Sequence, residues 1–291
     1  MVSCAVRSLG EGDGNAVAFL GAGRIACCLI STFLKKKVCA RETLLATHHD
    51  KGRADDLQRT LDIEVTTCNQ DAVLRARIVI LCVRPLQLRS LLAEIAPLIS
   101  QRQTVVSVVV GVPLSWIRKF LPSAGTLVHV HPTSLAMAAA PGISYIACEN
   151  DTWSPGVREI EEVFQALGRV DLVSEGELDA LAVAAGCSPA FWARLASLWC
   201  DTMHRYGVSK ETATDILSVT LQGVGYGLGQ GGISPEDMVS RIATPQGVTA
   251  QGLEVLQREG VARILDCVAE SCSAKIAEIR GTLAGLGHSG I

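Results

Sequence analysis

The stretch that decides the fold is AVAFLGAGRIA, residues 16–26. A short apolar run of strand length leads directly into glycines and then into a helical pattern. The turn itself fits GxGxxA and consists of Gly21, Ala22, Gly23, Arg24, Ile25 and Ala26. Glycines at such a turn permit a tight bend and let the backbone approach a pyrophosphate at the helix N-terminus. The turn therefore predicts a dinucleotide site, against the alternative of a glycine turn in an unrelated α/β fold.

Further short apolar runs alternate with helix-like segments through the first half of the chain, as parallel βαβ units do. The runs are Thr43–Thr47, Ile63–Thr66, Ile78–Val83, Thr104–Val110, Thr126–Val130 and Ser144–Cys148. This alternation predicts a doubly wound α/β domain over residues 1–174.

After about residue 174 the strand runs stop and helix start signals replace them. These signals are Ser188-Pro189, Ser209 and Ser234-Pro235, while Gly260 and Gly281 are expected to end helices. Glycines at every second position from 223 to 229 argue against a long uninterrupted helix there. We predict an all-α domain over residues 175–291.

Composition is that of a water-soluble globular protein, with 48% hydrophobic and 19% charged residues and a net charge of −3. Neither nucleic acid nor a membrane is expected as a partner, because no basic excess is present and the longest apolar runs are of strand length. The N-terminal stretch contains no apolar leader, so a cytoplasmic location is predicted. The eleven cysteines are odd in number and form no CxxC pair, which favours free thiols. His129 and His131 alternate along a strand and are expected to face opposite ways, so no metal site is predicted.

The end of the second strand bears on which dinucleotide binds. A site for NAD would have an acidic residue there for the ribose 2′-hydroxyl, whereas this chain has Thr47. Hydroxyl, imidazole and cationic donors that suit a 2′-phosphate follow at Thr47, His48, His49, Lys51 and Arg53. Asp50 keeps NAD(H) open as the alternative, and NADP(H) is the preferred prediction. A further strand end, formed by Cys82, Val83, Arg84 and Pro85, is expected to pass over the nicotinamide half of the cofactor.

Six segments in this order resemble the pyrroline-5-carboxylate reductase family. They are AVAFLGAGRIA, VILCVRPLQL, VVSVVVGVPL, VHVHPTS, GCSPAFW and ATPQGVTAQGLEVL, and the resemblance runs from about residue 16 to residue 280. It implies a Rossmann-like domain followed by a helical domain that builds an intertwined dimer, with each active site at the dimer interface. It also implies hydride transfer from NADPH to the C=N carbon of a cyclic imino acid, which makes proline.

The match differs between the two halves of the expected site. Gly21, Gly23 and Ala26 agree with the family's phosphate loop, and Arg84 replaces a lysine in its Val-Lys-Pro. The family's Met-Pro-Asn-Thr-Pro becomes a segment with His131, Pro132, Thr133 and Leu135. In the family's Gly-Ser-Gly-Pro-Ala segment, Cys187 replaces the serine and Ser188 replaces the second glycine. In its Ser-Pro-Gly-Gly-Thr-Thr segment, Gln246 replaces the first glycine and Val248 the first threonine, while Thr249 keeps the second threonine.

The resemblance implies a substrate site built from these altered segments. Backbone N–H groups of Gly247, Val248 and Thr249 are expected to bind the substrate carboxylate, with Thr249 as the N-cap of the following helix. Ser188 is expected in the same site. Cys187, at a predicted helix N-terminus that would lower its pKa, is either a pocket thiol in place of a hydroxyl or a small space-filling residue.

Three alternatives to a proline-forming reductase remain open. The chain could be a paralogue that reduces a different imine, or an NADPH-binding sensor whose substrate pocket has decayed. The β-hydroxyacid dehydrogenases share the two-domain plan but use a lysine on the first long helix of the helical domain. No lysine occurs between Arg158 and Ser209, which argues against that mechanism.

Overall fold

The computed structural model describes residues 17–133, 142–149, 154–229 and 231–286. They form two compact units. Unit 1 contains the described residues up to Gly186 together with those from Ser273 onward, and unit 2 is Cys187–Cys272. The boundary at residue 174/175 stays a prediction about the two domains, while the compact units divide at Gly186 and the end of the last helix belongs to unit 1.

Unit 1 is built on an eight-stranded sheet in the order β3-β2-β1-β4-β5-β6-β7-β8. Its strands are β1 Val17–Leu20, β2 Leu44–Thr47, β3 Glu64–Thr66, β4 Ile78–Leu81, β5 Thr104–Ser107, β6 Thr126–Pro132, β7 Gly142–Cys148 and β8 Gly168–Leu172. The first six are parallel, β7 is antiparallel to β6, and β8 is parallel to β7. The predicted doubly wound α/β fold is confirmed. The polar strand β8 was not predicted, because its sequence GRVDL lacks an apolar run.

Helices cover both faces of this sheet. They are α1 Arg24–Lys35, α2 Lys51–Leu61, α3 Asn69–Leu74, α4 Pro85–Ile95, α5 Leu114–Phe120, α6 Pro155–Gln165 and α7 Leu178–Leu181. Successive strand residues point to opposite faces, so Phe19 packs in one core and Leu20 in the other. The core on the Phe19 side includes edge-to-face contacts of Phe33 with Phe19 and Phe164. Burial on both faces explains why β1, β2 and β4 are continuous apolar runs.

The remaining helices are α8 Ser188–Arg205, α9 Lys210–Leu228, α10 Pro235–Ile242, α11 Val248–Arg258 and α12 Val261–Leu286. Two predicted N-caps are confirmed, because Ser209 accepts a hydrogen bond from the Thr212 N–H and Ser234 accepts one from the Asp237 N–H. The predicted stop at Gly260 is also confirmed, since this residue lies between α11 and α12 with a φ of 73°.

Three predictions about this helical part are wrong. Ser188 is the first residue of α8 and not its cap, because a π-helical turn, Ala182–Cys187, leads directly into α8. Helix α9 runs through the alternating glycines to Leu228. Helix α12 continues past Gly281 to Leu286. In each case the local signal is overridden by the continuous backbone hydrogen bonding of a longer helix.

The helical stretch Leu178–Arg205 is long and apolar enough to cross a membrane by length and composition alone. Only 11% of its apolar window is buried within the chain. A helix whose apolar face pairs with another subunit meets the same criterion, so the stretch indicates an unpartnered apolar face as readily as a membrane span.

Candidate functional site

The glycine turn after β1 has a conformation and surroundings that require glycine. Gly21 has a φ of 95°, which side-chain-bearing residues rarely adopt. A Cβ atom on Gly21 would lie 2.8 Å from Val83 Cγ1 and 3.1 Å from the Cys82 carbonyl oxygen. The turn therefore passes directly against the end of β4, at the carboxyl edge of the sheet.

Hydrogen bonds hold this turn between β2 and β4. The Ala22 N–H donates to the Thr47 carbonyl at 2.7 Å, and the Gly21 N–H donates to Thr47 Oγ1 at 3.1 Å. On the other side the Cys82 N–H donates to the Leu20 carbonyl at 2.9 Å. The turn is thus fixed by the ends of its two neighbouring strands.

Helix α1 begins immediately after the turn with its N-terminus open. Gly23 is the N-cap and no side chain in the described part of the protein caps the helix, so the first backbone N–H groups are open at the positive end of the helix dipole. Ala26 is fully buried, which allows the close helix–strand packing that the third position of the fingerprint requires. This arrangement fits a bound phosphate group.

A crevice of about 620 Å³ opens at this edge of the sheet. It is lined by Gly21, Ala22, Gly23, Thr47, His48, His49, Thr67, Asn69, Cys82, Val83, Arg84, Gln87, Ser90, Leu91 and Glu94. Most of the residues predicted for the cofactor therefore meet in one place, whereas Arg24, Ile25, Ala26 and Pro85 do not line the crevice. Sequence reasoning did not find Asn69 or Glu94, which come from helices without a recognisable motif.

Thr47 occupies the strand end where an NAD site would have an acid, but its hydroxyl is already engaged. The side chain is buried, and its Oγ1 donates to Asn69 Oδ1 at 2.7 Å while accepting from the Gly21 N–H. Because its single proton is used, Thr47 is not the 2′-phosphate donor that the sequence predicted. Its hydroxyl shapes the glycine turn instead.

Asp50, the residue that kept NAD(H) open, serves as the N-cap of α2. Its Oδ1 accepts from the Arg53 N–H at 2.7 Å. The rings of His48 and His49 stack beside it with centroids 4.7 Å apart. Lys51 pairs with Asp55 at 2.8 Å. His48 and His49 line the crevice at this corner, whereas Lys51 and the exposed Arg53, predicted with them as donors, do not line it.

The second predicted site lies in unit 2, in the turn between α10 and α11. Gly247 is the N-cap of α11, so Val248 and Thr249 are its first two residues. Thr249 is therefore not the N-cap that the sequence predicts, and the Gly247 N–H, expected to bind the substrate carboxylate, already donates to the Thr244 carbonyl at 2.9 Å. No side chain caps this helix, which leaves its first backbone N–H groups open. Gln246 has a left-handed φ of 60°, the conformation that favours glycine.

Cys187 does not have the environment that the sequence predicted. It ends the π-helical turn that continues into α8, so it does not lie at a free helix N-terminus. Burial, and then the neighbouring Cys272, raise the pKa of the Cys187 thiol. An activated thiolate is therefore not supported. None of the ten cysteines within the described ranges forms a disulfide bond.

His129 and His131 share one face of β6, contrary to the prediction, because side chains two residues apart in a strand point the same way. Burial lowers the pKa of His129 to about 3 and that of His131 to about 4. Within the described residues no group of three or more His, Cys, Asp or Glu side chains could hold a metal ion. Leu135, in the same segment, lies outside the described residues.

Two family comparisons match separate parts of the chain. Residues 16–111 match the family described as NADP oxidoreductase coenzyme F420-dependent, and residues 175–279 match pyrroline-5-carboxylate reductase dimerisation. The chain is 27% identical over 249 residues to the pyrroline-5-carboxylate reductase of Methanosarcina acetivorans, which covers 86% of this chain and 92% of the relative. It is also 27% identical over 289 residues to the pyrroline-5-carboxylate reductase of Mycobacterium tuberculosis, and that match covers 91% of this chain and 97% of the relative.

The fold comparison agrees with these matches. The structure of Plasmodium falciparum pyrroline carboxylate reductase with NADP bound superposes with a TM-score of 0.81 at 18% identity, covering 92% of this chain and 99% of that one. The resemblance to pyrroline-5-carboxylate reductases that the sequence indicates is confirmed, and it extends over both the α/β and the helical parts.

Proposed function

We propose that this protein is an NADPH-dependent reductase of a small cyclic imine, with pyrroline-5-carboxylate, reduced to proline, as the principal substrate. The observation that carries the proposal is the glycine turn at Gly21, fixed by Thr47 and followed by the open N-terminus of α1. The curated relatives named pyrroline-5-carboxylate reductase support the reaction class.

The crevice of unit 1 fits the cofactor. A pyrophosphate would lie against the turn from Gly21 to Gly23, where a Cβ atom on Gly21 would collide with the β4 end. A ribose 2′-phosphate would lie near His48 and His49, with Arg53 on the adjoining first turn of α2, while Asp50 accepts the Arg53 N–H as the cap of that helix. When bound, NADPH supplies the hydride for the C=N carbon. The protein supplies position and electrostatics.

The turn at residues 246–249 supports an anion site for the substrate carboxylate. The uncapped N-terminus of α11 offers backbone N–H groups of Val248 and Thr249 together with the helix dipole. The Thr249 hydroxyl, free of the capping role, is available to the substrate. Because an imine that arrives protonated needs no strong general acid, binding and orientation suffice for reduction.

A homodimer or higher homo-oligomer is proposed as the working state. Large apolar side chains of α8 are exposed, with Trp192 at 54% and Trp199 at 55%. Together with Leu195, Leu217 and Leu221 they line an apolar groove of about 430 Å³ within unit 2. Exposed apolar side chains of this kind are typical of an interface, and the match of residues 175–279 to the dimerisation family supports a second copy of this chain as the partner. Light scattering after gel filtration tests the mass.

The decisive experiment follows NADPH oxidation with pyrroline-5-carboxylate and a panel of other cyclic imines. Turnover of pyrroline-5-carboxylate with a higher kcat/KM than any other imine supports the proposal. Parallel assays with NADH test the cofactor preference, which we expect to favour NADPH. A different best imine would identify a paralogue of the proline-forming reductases.

A catalytically decayed NADPH-binding sensor is the second candidate, favoured by Val248 and Cys187 at positions where the family has hydroxyl groups. Tight NADPH binding with no turnover of any imine in the panel would support the sensor. We further propose a cytoplasmic protein with neither a nucleic-acid nor a membrane partner, since the net charge is −3.

A further inference from the structure

Four groups at the crevice form a continuous chain of hydrogen bonds that ends on the glycine turn. Glu94 Oε2 accepts from Asn69 Nδ2 at 3.0 Å, and Asn69 Oδ1 accepts from Thr47 Oγ1 at 2.7 Å. Thr47 Oγ1 in turn accepts from the Gly21 N–H at 3.1 Å. The chain therefore links helix α4 through α3 and β2 to the turn that follows β1.

Glu94 sets the direction of the two side-chain bonds in this chain, whereas the Gly21 N–H can only donate. An ionised carboxylate can only accept, so the amide nitrogen of Asn69 must face Glu94 and the amide oxygen must face Thr47. Thr47 then donates its single proton to Asn69, which leaves an oxygen lone pair for the Gly21 N–H. With the Asn69 amide reversed, the Thr47 oxygen would receive two N–H donors and its own proton would lose Asn69 Oδ1 as its acceptor.

We propose that Glu94 is a positioning residue for NADP(H): it fixes the Asn69 amide, and through Asn69 and Thr47 it holds Gly21 in the conformation that receives the cofactor. The inference rests on the proposed cofactor function of this crevice. Glu94 acts on the turn through the side chains of Asn69 and Thr47, so this role needs no direct contact between Glu94 and the cofactor.

Gly21 is the point in the turn where such support matters. Its left-handed φ of 95° and its close approach to Val83 leave the turn dependent on the bonds that fix it. The Thr47 side chain is buried and half-buried Asn69 lies between it and the exposed Glu94. A bond to a charged acceptor is stronger than one between neutral groups, so the carboxylate orients the amide even at the surface.

The experiment compares Glu94→Gln, Glu94→Leu and Thr47→Val with the parent chain. Glutamine can still accept from Asn69 Nδ2, so Glu94→Gln should keep NADPH affinity within about twofold of the parent. Glu94→Leu removes the acceptor and should weaken NADPH binding by about three- to tenfold, as expected for one lost hydrogen bond. Glu162→Leu on α6, an exposed glutamate outside the crevice, controls for the loss of a surface charge. NADPH binding is measured by fluorescence titration without any imine.

The double variant Glu94→Leu/Thr47→Val separates action through Thr47 from a direct contact with the cofactor. If Glu94 acts through Thr47, the losses in affinity are not additive, and the double variant binds NADPH about as weakly as Thr47→Val alone. Additive losses, or unchanged affinity in Glu94→Leu, would overturn the inference.

Hydrogen exchange of the cofactor-free protein provides a readout that does not depend on NADPH. In the peptide that contains Gly21, exchange should be faster in Glu94→Leu than in the parent, and unchanged in Glu94→Gln and Glu162→Leu. Equal exchange in the parent and Glu94→Leu refutes the positioning role. If the variants differ in exchange as expected but the parent protein binds no NADPH, the positioning role is supported and the proposed function is refuted.

Discussion

The imidazole rings of His129 and His131 stack in the interior of unit 1, with centroids 5.0 Å apart and an interplanar angle of 26°. Both side chains are buried, and among the described residues neither nitrogen of His129 nor Nε2 of His131 has a hydrogen-bond partner. The Val109 carbonyl near His129 opposes the fall in its pKa without meeting the geometry of a full hydrogen bond. The pair is therefore held neutral in the folded protein.

This pair makes the folded state sensitive to acid. Unfolded histidines titrate near 6.5, whereas the folded pKa values are about 3 and about 4. Between these limits the unfolded chain binds more protons, so stability is retained above pH 6.5 and falls as the pH is lowered from there towards 4. The fall is at most about 1.4 kcal/mol per pH unit for each histidine.

His131→Met, which introduces the residue that the family has at this position, should raise stability both above pH 6.5 and within the acid range, and by more in the acid range. Removal of the unpartnered Nε2 should contribute about 1 kcal/mol at pH 8, and at pH 5 the avoided protonation of the unfolded chain should add about 2 kcal/mol. Thermal unfolding at the two pH values measures the difference. His49→Met at the surface is the control, and an equal gain at both pH values would contradict the linkage.

Gly21 and Gly23 should respond differently to the same substitution. Gly21→Ala places a Cβ atom 2.8 Å from Val83 Cγ1 in a left-handed conformation, so both stability, by about 1–3 kcal/mol, and NADPH binding should fall. Gly23→Ala places its Cβ atom 4.0 Å from the Cys82 carbonyl, so the fold should tolerate it. A melting temperature near that of the parent with NADPH binding weakened tenfold or more in Gly23→Ala would locate the pyrophosphate.

The turn before α11 offers a paired test of backbone strain. Gln246→Gly should stabilise the protein by about 0.5–1 kcal/mol, because glycine adopts the left-handed φ of 60° without steric cost. Gly247→Ala should destabilise it, since its Cβ atom would lie 2.9 Å from the Thr244 carbonyl oxygen. Denaturant unfolding measures both. A loss of stability in Gln246→Gly would show that the glutamine side chain makes a contact worth more than the strain.

Thr249→Val tests the hydroxyl in the proposed carboxylate site. Because Gly247 and not Thr249 is the N-cap, the melting temperature should stay within about 1 °C of the parent. The KM for pyrroline-5-carboxylate should rise about tenfold with NADPH affinity unchanged, as expected for one hydrogen bond to a charged group. Ser234→Ala, a true N-cap, should lower stability by about 1 kcal/mol and leave KM unchanged. Lost stability without a KM effect in Thr249→Val would refute the anion role.

The structural predictions that are confirmed depend on residues that are close together in the sequence. The glycine turn and the Ser209 and Ser234 caps each depend on residues within a few positions of one another, so their chemistry is visible in the sequence. Asn69 and Glu94 reach the crevice from α3 and α4, separated from Thr47 by 22 and 47 residues, and only the assembled sheet brings them together. No spacing rule could have found them.

The wrong predictions in the helical part arose because local start and stop signals were given too much weight. Gly281 carries a local stop signal, and Ser188 a local start signal, but each lies inside or next to a longer helical run. The alternating glycines of α9 likewise cost helix propensity without ending the helix. Tertiary packing decides such cases, and a single sequence does not contain it. The histidine error was one of strand geometry, since residues two apart share a face.

Cofactor choice should depend on Arg53, whose backbone N–H is fixed by Asp50 and whose side chain is exposed on the first turn of α2, a few residues after His48 and His49 of the crevice lining. Arg53→Ala should weaken NADPH binding about tenfold and leave NADH binding unchanged, because only NADPH carries the 2′-phosphate that a guanidinium would bind. Arg59→Ala on the same helix is the matched control, since that arginine pairs with Asp56. Fluorescence titration with both cofactors at two salt concentrations gives the comparison. Equal losses for NADPH and NADH would place the Arg53 contact elsewhere on the dinucleotide, and the preference for NADPH would then have to come from His48 and His49.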